Sequence, residues 1–188
     1  GPLEGLSKKE KKKRERKELA TFPDSMRTFV AQFELLHGRD LEILRLACGE
    51  EFGITDPVEL KHLDHNDFWR IKDFLPKAKQ VKFHEKLDAL QDDPPIAPPD
   101  YRLEKTKKYP KRMASWIRSF MLGQHNHDVV LLKLLCGPQY GITDPEEIKH
   151  LDQEDFVKFV ELLPKGKQHF FREALKAISA EEQEQEQE

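Results

Sequence analysis

The sequence predicts an all-α fold made of two tandem small helical bundles, each of four to five helices. Segment 53–57, Gly-Ile-Thr-Asp-Pro, recurs at 141–145, and from Asp40 to Leu90 about 26 of 51 residues are identical to those of a downstream copy. A period this long is that of a duplicated domain and not of a solenoid unit. Apolar residues within each copy also recur with a helical period.

The first two helices of each copy are predicted from apolar stripes. Over residues 24–37, the spacing i, i+3, i+4 and i+7 is filled by Met26, Phe29, Val30 and Phe33. The corresponding residues of the second copy, if one residue is inserted in the loop around 125–127, are Met113, Trp116, Ile117 and Phe120. A second helix is expected after Gly38, with Leu41, Leu44 and Cys48 on one face.

The later helices are predicted from their capping residues. Asp56, Pro57 and Glu59 have the order of a capping box with proline at the first helical position, and the second copy repeats them as Asp144, Pro145 and Glu147. A fourth helix is expected to begin after Asp64 or Asp152 and to stop at proline. Pro76 and Pro164 are then expected in the first turn of the last helix.

The last helix of each copy is predicted to be basic on its outer surface. Its inner stripe in the first copy consists of Phe83, Leu87 and Leu90. The residues assigned to the outer surface are Lys77, Lys79, Lys82 and Lys86, with Lys165, Lys167, Arg172 and Lys176 in the second copy.

Composition divides the rest of the chain. The predicted segments are a cleavage scar from an expression vector at 1–5, a basic tail or extra helix at 6–22, the first module at 23–91, a Pro-rich and then basic linker at 92–111, the second module at 112–179, and an acidic Glu/Gln tail at 180–188. The charge runs at the two ends are expected to be solvated and disordered. The scar indicates that the chain is a fragment of a longer protein.

The net charge of −3 conceals the opposite charges of these two ends. No stretch of about 18 apolar residues and no signal-peptide core is present, so a location inside the cell, nuclear or cytoplasmic, is expected rather than secretion.

The residues capable of chemistry are predicted to be structural. Cys48 and Cys136 occupy equivalent positions and are expected to be small buried thiols. His62 and His150 have no second ligand at metal-binding spacing, and the carboxylates of Asp64 and Asp67 fit a helix cap better than an acid–base pair. The sequence therefore predicts neither an enzyme nor a metal or cofactor site.

Both copies resemble the harmonin-homology domain at their last two helices. In the first copy, segment 68–76 ends in Leu-Pro and is followed by Lys79-Gln80 and Phe83; in the second, Leu163-Pro164 is followed by Lys167-Gln168 and Phe171. Members of that family are adaptors, so the resemblance implies binding of partner peptides, typically amphipathic helices held between helices of the module. The sterile alpha motif is the weaker alternative.

The leading functional hypothesis is a protein-binding scaffold region, expected to be monomeric, whose two modules bind helical peptides of partner proteins. Candidate partner-binding residues are Trp69, Lys72, Lys79, Lys82, Lys86, Lys158, Lys167, Arg172 and Lys176. One alternative is binding to nucleic acid or another anionic surface by the basic last helices and the N-terminal lysine run. Another is self-association of the sterile-alpha kind.

Overall fold

The computed structural model describes residues 5–97, 103–120 and 125–187, with the side chains of 181–187 excepted. Most of the predicted scar, the middle of the predicted linker and the four residues before the predicted insertion loop lie outside these residues. Every regular element in the described part of the chain is helical, so the predicted all-α class is confirmed. The chain divides into two compact units, one formed by residues 1–49 and 54–91, the other by residues 50–53 and 92–188.

Each copy of the repeat contains the same series of helices. In the first unit these are α1 (Lys8–Leu19), α2 (Asp24–Ala31), α3 (Arg39–Ala47), the 3-10 helix η1 (Pro57–His62), α4 (His65–Lys72) and α5 (Lys77–Asp88). The second unit contains α6 (Leu103–Thr106), α7 (Lys111–Arg118), α8 (His127–Leu135), the 3-10 helix η2 (Pro145–His150), α9 (Gln153–Glu161) and α10 (Lys165–Gln187). The elements α2 to α5 correspond to α7 to α10.

A trio of aromatic rings fills the core of each unit. In the first unit the ring of Phe33 lies 5.3 Å from Phe29 and 5.6 Å from Phe83, measured between centroids. The equivalent ring in the second unit, Phe120, lies 5.4 Å from Trp116 and 5.2 Å from Phe171. The alignment with one inserted residue therefore places equivalent side chains in equivalent core positions.

The two predicted capping boxes are confirmed. The Asp56 carboxylate accepts a hydrogen bond from the Val58 amide at 3.0 Å, and Glu59 accepts one from the Asp56 amide at 3.0 Å. In the second copy, Asp144 and Glu147 have the same roles. Gly53 and Gly141, which precede these boxes, have φ values of 56° and 60°, a left-handed conformation that glycine adopts without steric cost. The boxes begin 3-10 helices of six residues.

The structure corrects three details of the prediction. The helix predicted over 24–37 ends at Ala31, because Glu34 and His37 have positive φ values of 50° and 59° and cannot continue a right-handed helix. Pro76 is the N-cap of α5 with an extended ψ of 151°, so it precedes the first turn. The acidic end, predicted as a disordered tail, continues α10 as helix to Gln187. Of the two alternatives predicted for 6–22, the structure has the extra helix, α1.

Helix α1 is attached to α3 by one ion pair. The Arg45 guanidinium donates to both carboxylate oxygens of Glu18, from Nε at 2.7 Å and from Nη2 at 2.6 Å. These hydrogen bonds lower the pKa of Glu18. None of the twelve residues of α1 is buried, so its contribution to the core of the unit is small.

Candidate partner-binding grooves

A cavity of about 320 Å³ opens between α9 and α10. We call it the α9–α10 groove. Its apolar floor is formed by Phe156, Val160 and Leu175, which are buried, while Val157 at its mouth is 52% exposed. Its volume falls at the lower end of the ~300–1,000 Å³ range of ligand clefts. Binding sites are usually concave surfaces lined by large apolar side chains.

Local capping fixes the two helices that form this groove. Helix α9 begins after Asp152, whose carboxylate accepts from the Asp155 amide at 3.1 Å. The side-chain amide of Gln168 on α10 donates to the carbonyl of Leu163 at 3.0 Å. Gln80 makes the same bond to Leu75 in the first unit, at 3.1 Å. In both units this glutamine therefore stabilises the turn between the last two helices. It is the glutamine that follows Lys79 or Lys167 in the segments quoted above for their resemblance to the harmonin-homology domain.

The rim of the α9–α10 groove is charged. Arg172 and Lys176, one turn apart on α10, are exposed on one wall, and Glu161 lies on the α9 side. Arg172 makes no hydrogen bond or ion pair with the residues whose side chains the structure describes, whereas Lys176 pairs with Glu173 at 3.4 Å. The groove thus combines an apolar floor with a cationic wall.

The first unit contains a cavity of about 390 Å³ that overlaps the corresponding position; we call it the α4–α5 groove, although it is also lined by Leu60, Lys61 and Leu63 at the end of η1. Phe68 and Leu87 occupy the positions of Phe156 and Leu175. Three positions have changed their chemistry, since Gln153, Arg172 and Lys176 are replaced by His65, His84 and Asp88. The two grooves share a hydrophobic framework but not their charge.

Trp69 and Lys72 replace two groove valines in the first unit. They stand at the positions of Val157 and Val160, and the Lys72 ammonium lies 4.1 Å from the centroid of the Trp69 ring. This cation–π contact holds the exposed indole against the side chain of Lys72 on the same helix. The apolar surface that the valines offer in the second unit is therefore taken up by an internal contact in the first.

Most of the sequence-predicted partner residues are at the surface. Trp69 is 38% exposed, Lys79 is half-buried, and the exposed cations are Lys82, Lys86, Lys158, Arg172 and Lys176. Lys82 has a structural contact, because its ammonium donates to the Gln32 carbonyl at 2.9 Å and so joins α5 to the end of α2. Only Arg172 and Lys176 of the predicted set line the α9–α10 groove.

Two of these predictions are wrong about exposure. Lys167 is 2% exposed because it precedes Phe171 by four residues and therefore lies on the inward face of α10. Lys72 is 9% exposed because its stem packs beside the core and its ammonium rests on the Trp69 ring. Neither side chain is available to a partner in this structure.

Sequence reasoning missed the apolar residues of the α9–α10 groove as a site. Phe156 was assigned to the core, and Val157 was noted only as a difference between the copies. The available signal was the Phe-Val pair at 156–157, which puts one apolar side chain inward and the next toward solvent. Single exposed valines are common on protein surfaces. The Phe-Val pair therefore indicates a binding site only once the neighbouring cavity is known.

The residues with catalytic or metal-binding potential are dispersed. Asp64 accepts from the Asp67 amide at 2.9 Å, which confirms the predicted helix cap. Both cysteines are free thiols; Cys48 is buried as predicted and Cys136 is half-buried, and burial raises the pKa of Cys136. His127, at the start of α8, has its Nε2 atom buried with no hydrogen bond to the described residues, and burial lowers its pKa.

Within residues 5–97, 103–120 and 125–187, no three His, Cys, Asp or Glu side chains are grouped so that they could hold a metal ion. No helix in that part of the chain combines the length and apolar character needed to span a bilayer. Comparisons with protein-family models, curated proteins and solved structures found no match.

Proposed function

We propose that this chain is a non-enzymatic tandem protein-interaction region that binds short amphipathic helices of partner proteins. The observation that carries this proposal is the α9–α10 groove, where the exposed Val157 stands over a floor of Phe156, Val160 and Leu175. An apolar channel between two helices suits the apolar stripe of a third helix. The resemblance to harmonin-homology adaptors supports the same mode of binding.

The duplication supports a bivalent role. Two related grooves on one chain raise the effective concentration of the second site once the first is occupied. Weak binding at each groove is then sufficient for stable attachment to a partner that presents two helices.

The proposal predicts that Val157→Asp abolishes most peptide binding, because the α9–α10 groove is the one with an open apolar mouth, whereas in the first unit that surface is taken up by the contact between Trp69 and Lys72. The probe is an amphipathic peptide of about 16 residues, long enough to sample helix, with leucine at i, i+3, i+4 and i+7 and glutamine elsewhere. A carboxylate at the mouth of the groove must lose water when the apolar stripe docks, and we expect the affinity to fall about tenfold or more. Fluorescence anisotropy with the labelled peptide measures the change.

Val81→Asp is the matched control, because Val81 is also an exposed valine, 66% accessible against 52% for Val157, on α5 and away from the groove. The control should bind the peptide as the original chain does. Equal affinity of the original chain and Val157→Asp would refute the assignment of the site, as would the absence of any binding.

A second candidate function, binding to nucleic acid, is favoured by the structure of α1. This helix contains eight Lys or Arg and three Glu residues in twelve positions, all without burial. It has no apolar face that could insert into a lipid surface. A polyanion in solution is therefore the partner that best suits its positive charge. The ion pair between Glu18 and Arg45 holds one end of the helix against α3.

Reversing the charge of Lys9, Lys13 and Lys17 is therefore expected to remove most of the affinity for a DNA duplex of about 20 base pairs. These lysines are spaced by four residues and form one row along α1. Wild-type binding should weaken steeply between about 50 and 200 mM salt because bound counterions are released. The control reverses Lys77, Lys86 and Lys176. An effect of the same size in that control would assign the binding to the last helices or to net charge, and it would contradict a special role for α1.

A further inference from the structure

The two walls of the α9–α10 groove differ in charge. On α10, Arg172 and Lys176 follow each other at i, i+4, so both ammonium and guanidinium groups lie along one side of the apolar floor. On α9 the corresponding side presents Gln153 and Glu161. A helix that lies along the floor meets cations on one flank only.

The Arg172 guanidinium has unused donor capacity. It is exposed at the edge of the groove and makes no hydrogen bond or ion pair with the side chains and backbone that the structure describes. Its five N–H donors form a planar fork that matches a carboxylate in two parallel hydrogen bonds. Lys176, which among the described side chains pairs with Glu173 at 3.4 Å on the same helix, supplies a second cation one turn further along.

The first unit shows which groove residues are retained in both copies and which are not. The floor residues Phe156 and Leu175 are retained there as Phe68 and Leu87, whereas Arg172 and Lys176 are replaced by His84 and Asp88. Because the first unit forms the same helices with His84 and Asp88 at these positions, this helix arrangement does not depend on a cationic wall. Its role lies with whatever enters the groove.

We infer that the α9–α10 groove selects amphipathic helices with carboxylates along one flank, and that the α4–α5 groove does not share this preference. The inference rests on the proposed function, since it specifies the partner of the same groove. The occupant is a helix of another protein with an apolar stripe and two acidic residues about one turn apart. Rim charges act mainly on the rate of association and on the choice between partners.

The chain's own acidic end does not have the composition of this occupant. Residues 181–188 contain only Glu and Gln and so offer no apolar side chain to the floor of the groove. Residues 181–187 also continue α10, the helix that forms the groove wall. A partner with both carboxylates and an apolar stripe is the better complement.

The test uses three peptides that share the leucine stripe described above and differ at the two flanking positions, which carry glutamate, glutamine or lysine. With the full chain, we expect the glutamate peptide to bind about three- to tenfold more tightly than the glutamine peptide at low salt, and the lysine peptide to bind more weakly. The glutamate advantage should shrink as salt is raised, because exposed pairs are screened.

Two variants locate the effect. Arg172→His with Lys176→Asp gives the second groove the wall of the first, and it should erase the difference in affinity between the glutamate and glutamine peptides. Adding the reciprocal change, His84→Arg with Asp88→Lys, to that variant should restore the difference, now through the first groove. Arg172, Lys176 and Asp88 are exposed and His84 is half-buried, so the variants should fold. Thermal unfolding followed by circular dichroism verifies this.

The outcomes separate the inference from the function on which it rests. Binding of all three peptides with equal affinity overturns the charge selection and leaves the groove as a binding site. Failure of every peptide, with the wild-type chain folded, overturns both. Concentration-dependent dimerisation that disappears when residues 181–188 are removed would show that the cationic wall serves a second copy of this chain, and it would overturn the inference.

Discussion

Replacing Phe83 by alanine is expected to lower the free energy of unfolding of the first unit by about 3–5 kcal/mol. Phe83 is 2% exposed, and its ring lies within 5.9 Å of Phe29, 5.6 Å of Phe33 and 5.7 Å of Phe68. Truncation removes the one ring that all three of these aromatic side chains contact. The cavity that remains lies between α2, α4 and α5, so none of these helices can close it alone.

Urea denaturation followed by circular dichroism measures the loss. Val81→Ala on the same helix is the matched control, because Val81 is exposed and its truncation should change stability by less than about 0.5 kcal/mol. If Phe83→Ala and Val81→Ala unfold at the same urea concentration, the aromatic cluster is not the core of this unit.

The second large effect is expected at Glu59, in the capping box of the first unit. Glu59 is 2% exposed and accepts hydrogen bonds from the amides of Thr55 and Asp56 at 2.9 and 3.0 Å. Glu59→Ala leaves these donors without their partner in a buried setting, which costs about 1–3 kcal/mol. Glu59→Gln retains an acceptor oxygen and should recover part of the loss.

The second copy of the repeat contains the control for this variant. Glu147 makes the equivalent bonds to Thr143 and Asp144, which lower its pKa, but it is exposed to water. In Glu147→Ala water can satisfy the released amides, so we expect a clearly smaller loss of stability than in Glu59→Ala. A loss of equal size in both variants would contradict the role assigned to burial.

The sequence was most informative where local chemistry determines the structure. The pattern Asp-Pro-x-Glu specifies its own hydrogen bonds, and both capping boxes formed as predicted. The stripe of Met26, Phe29, Val30 and Phe33 identified the core face of α2, although it did not mark the end of the helix at Ala31. That end is set by positive φ values at Glu34 and His37, which neither residue type requires.

The candidate site could be predicted only in part. Arg172 and Lys176 were found because charged residues are expected at surfaces, and the same reasoning misplaced Lys72 and Lys167, whose positions relative to Phe68 and Phe171 bring them inward. The floor of the α9–α10 groove could not be identified from the sequence. Phe156 and Leu175 have the signature of core residues, and whether a gap remains above them depends on how two helices pack.

The repeated Gly-Ile-Thr-Asp-Pro segment has a consequence for how the chain folds. In each copy the isoleucine amide bonds to the end of the preceding helix, from Ile54 to Ala47 and from Ile142 to Leu135, both at 2.9 Å. Two identical segments could each dock on the wrong helix end. The correct contact closes a loop of seven residues, whereas the exchange of Ile142 onto Ala47 closes 95.

Loop-closure entropy favours the short loop by about 2 kcal/mol, since each doubling of length costs about 0.6 kcal/mol. Closure of a loop of about ten residues also takes only tens of nanoseconds, before distant parts of a chain meet. Proximity along the chain therefore distinguishes two segments that are chemically the same, and the duplicated protein can keep its strongest local signal in both copies without mispairing them.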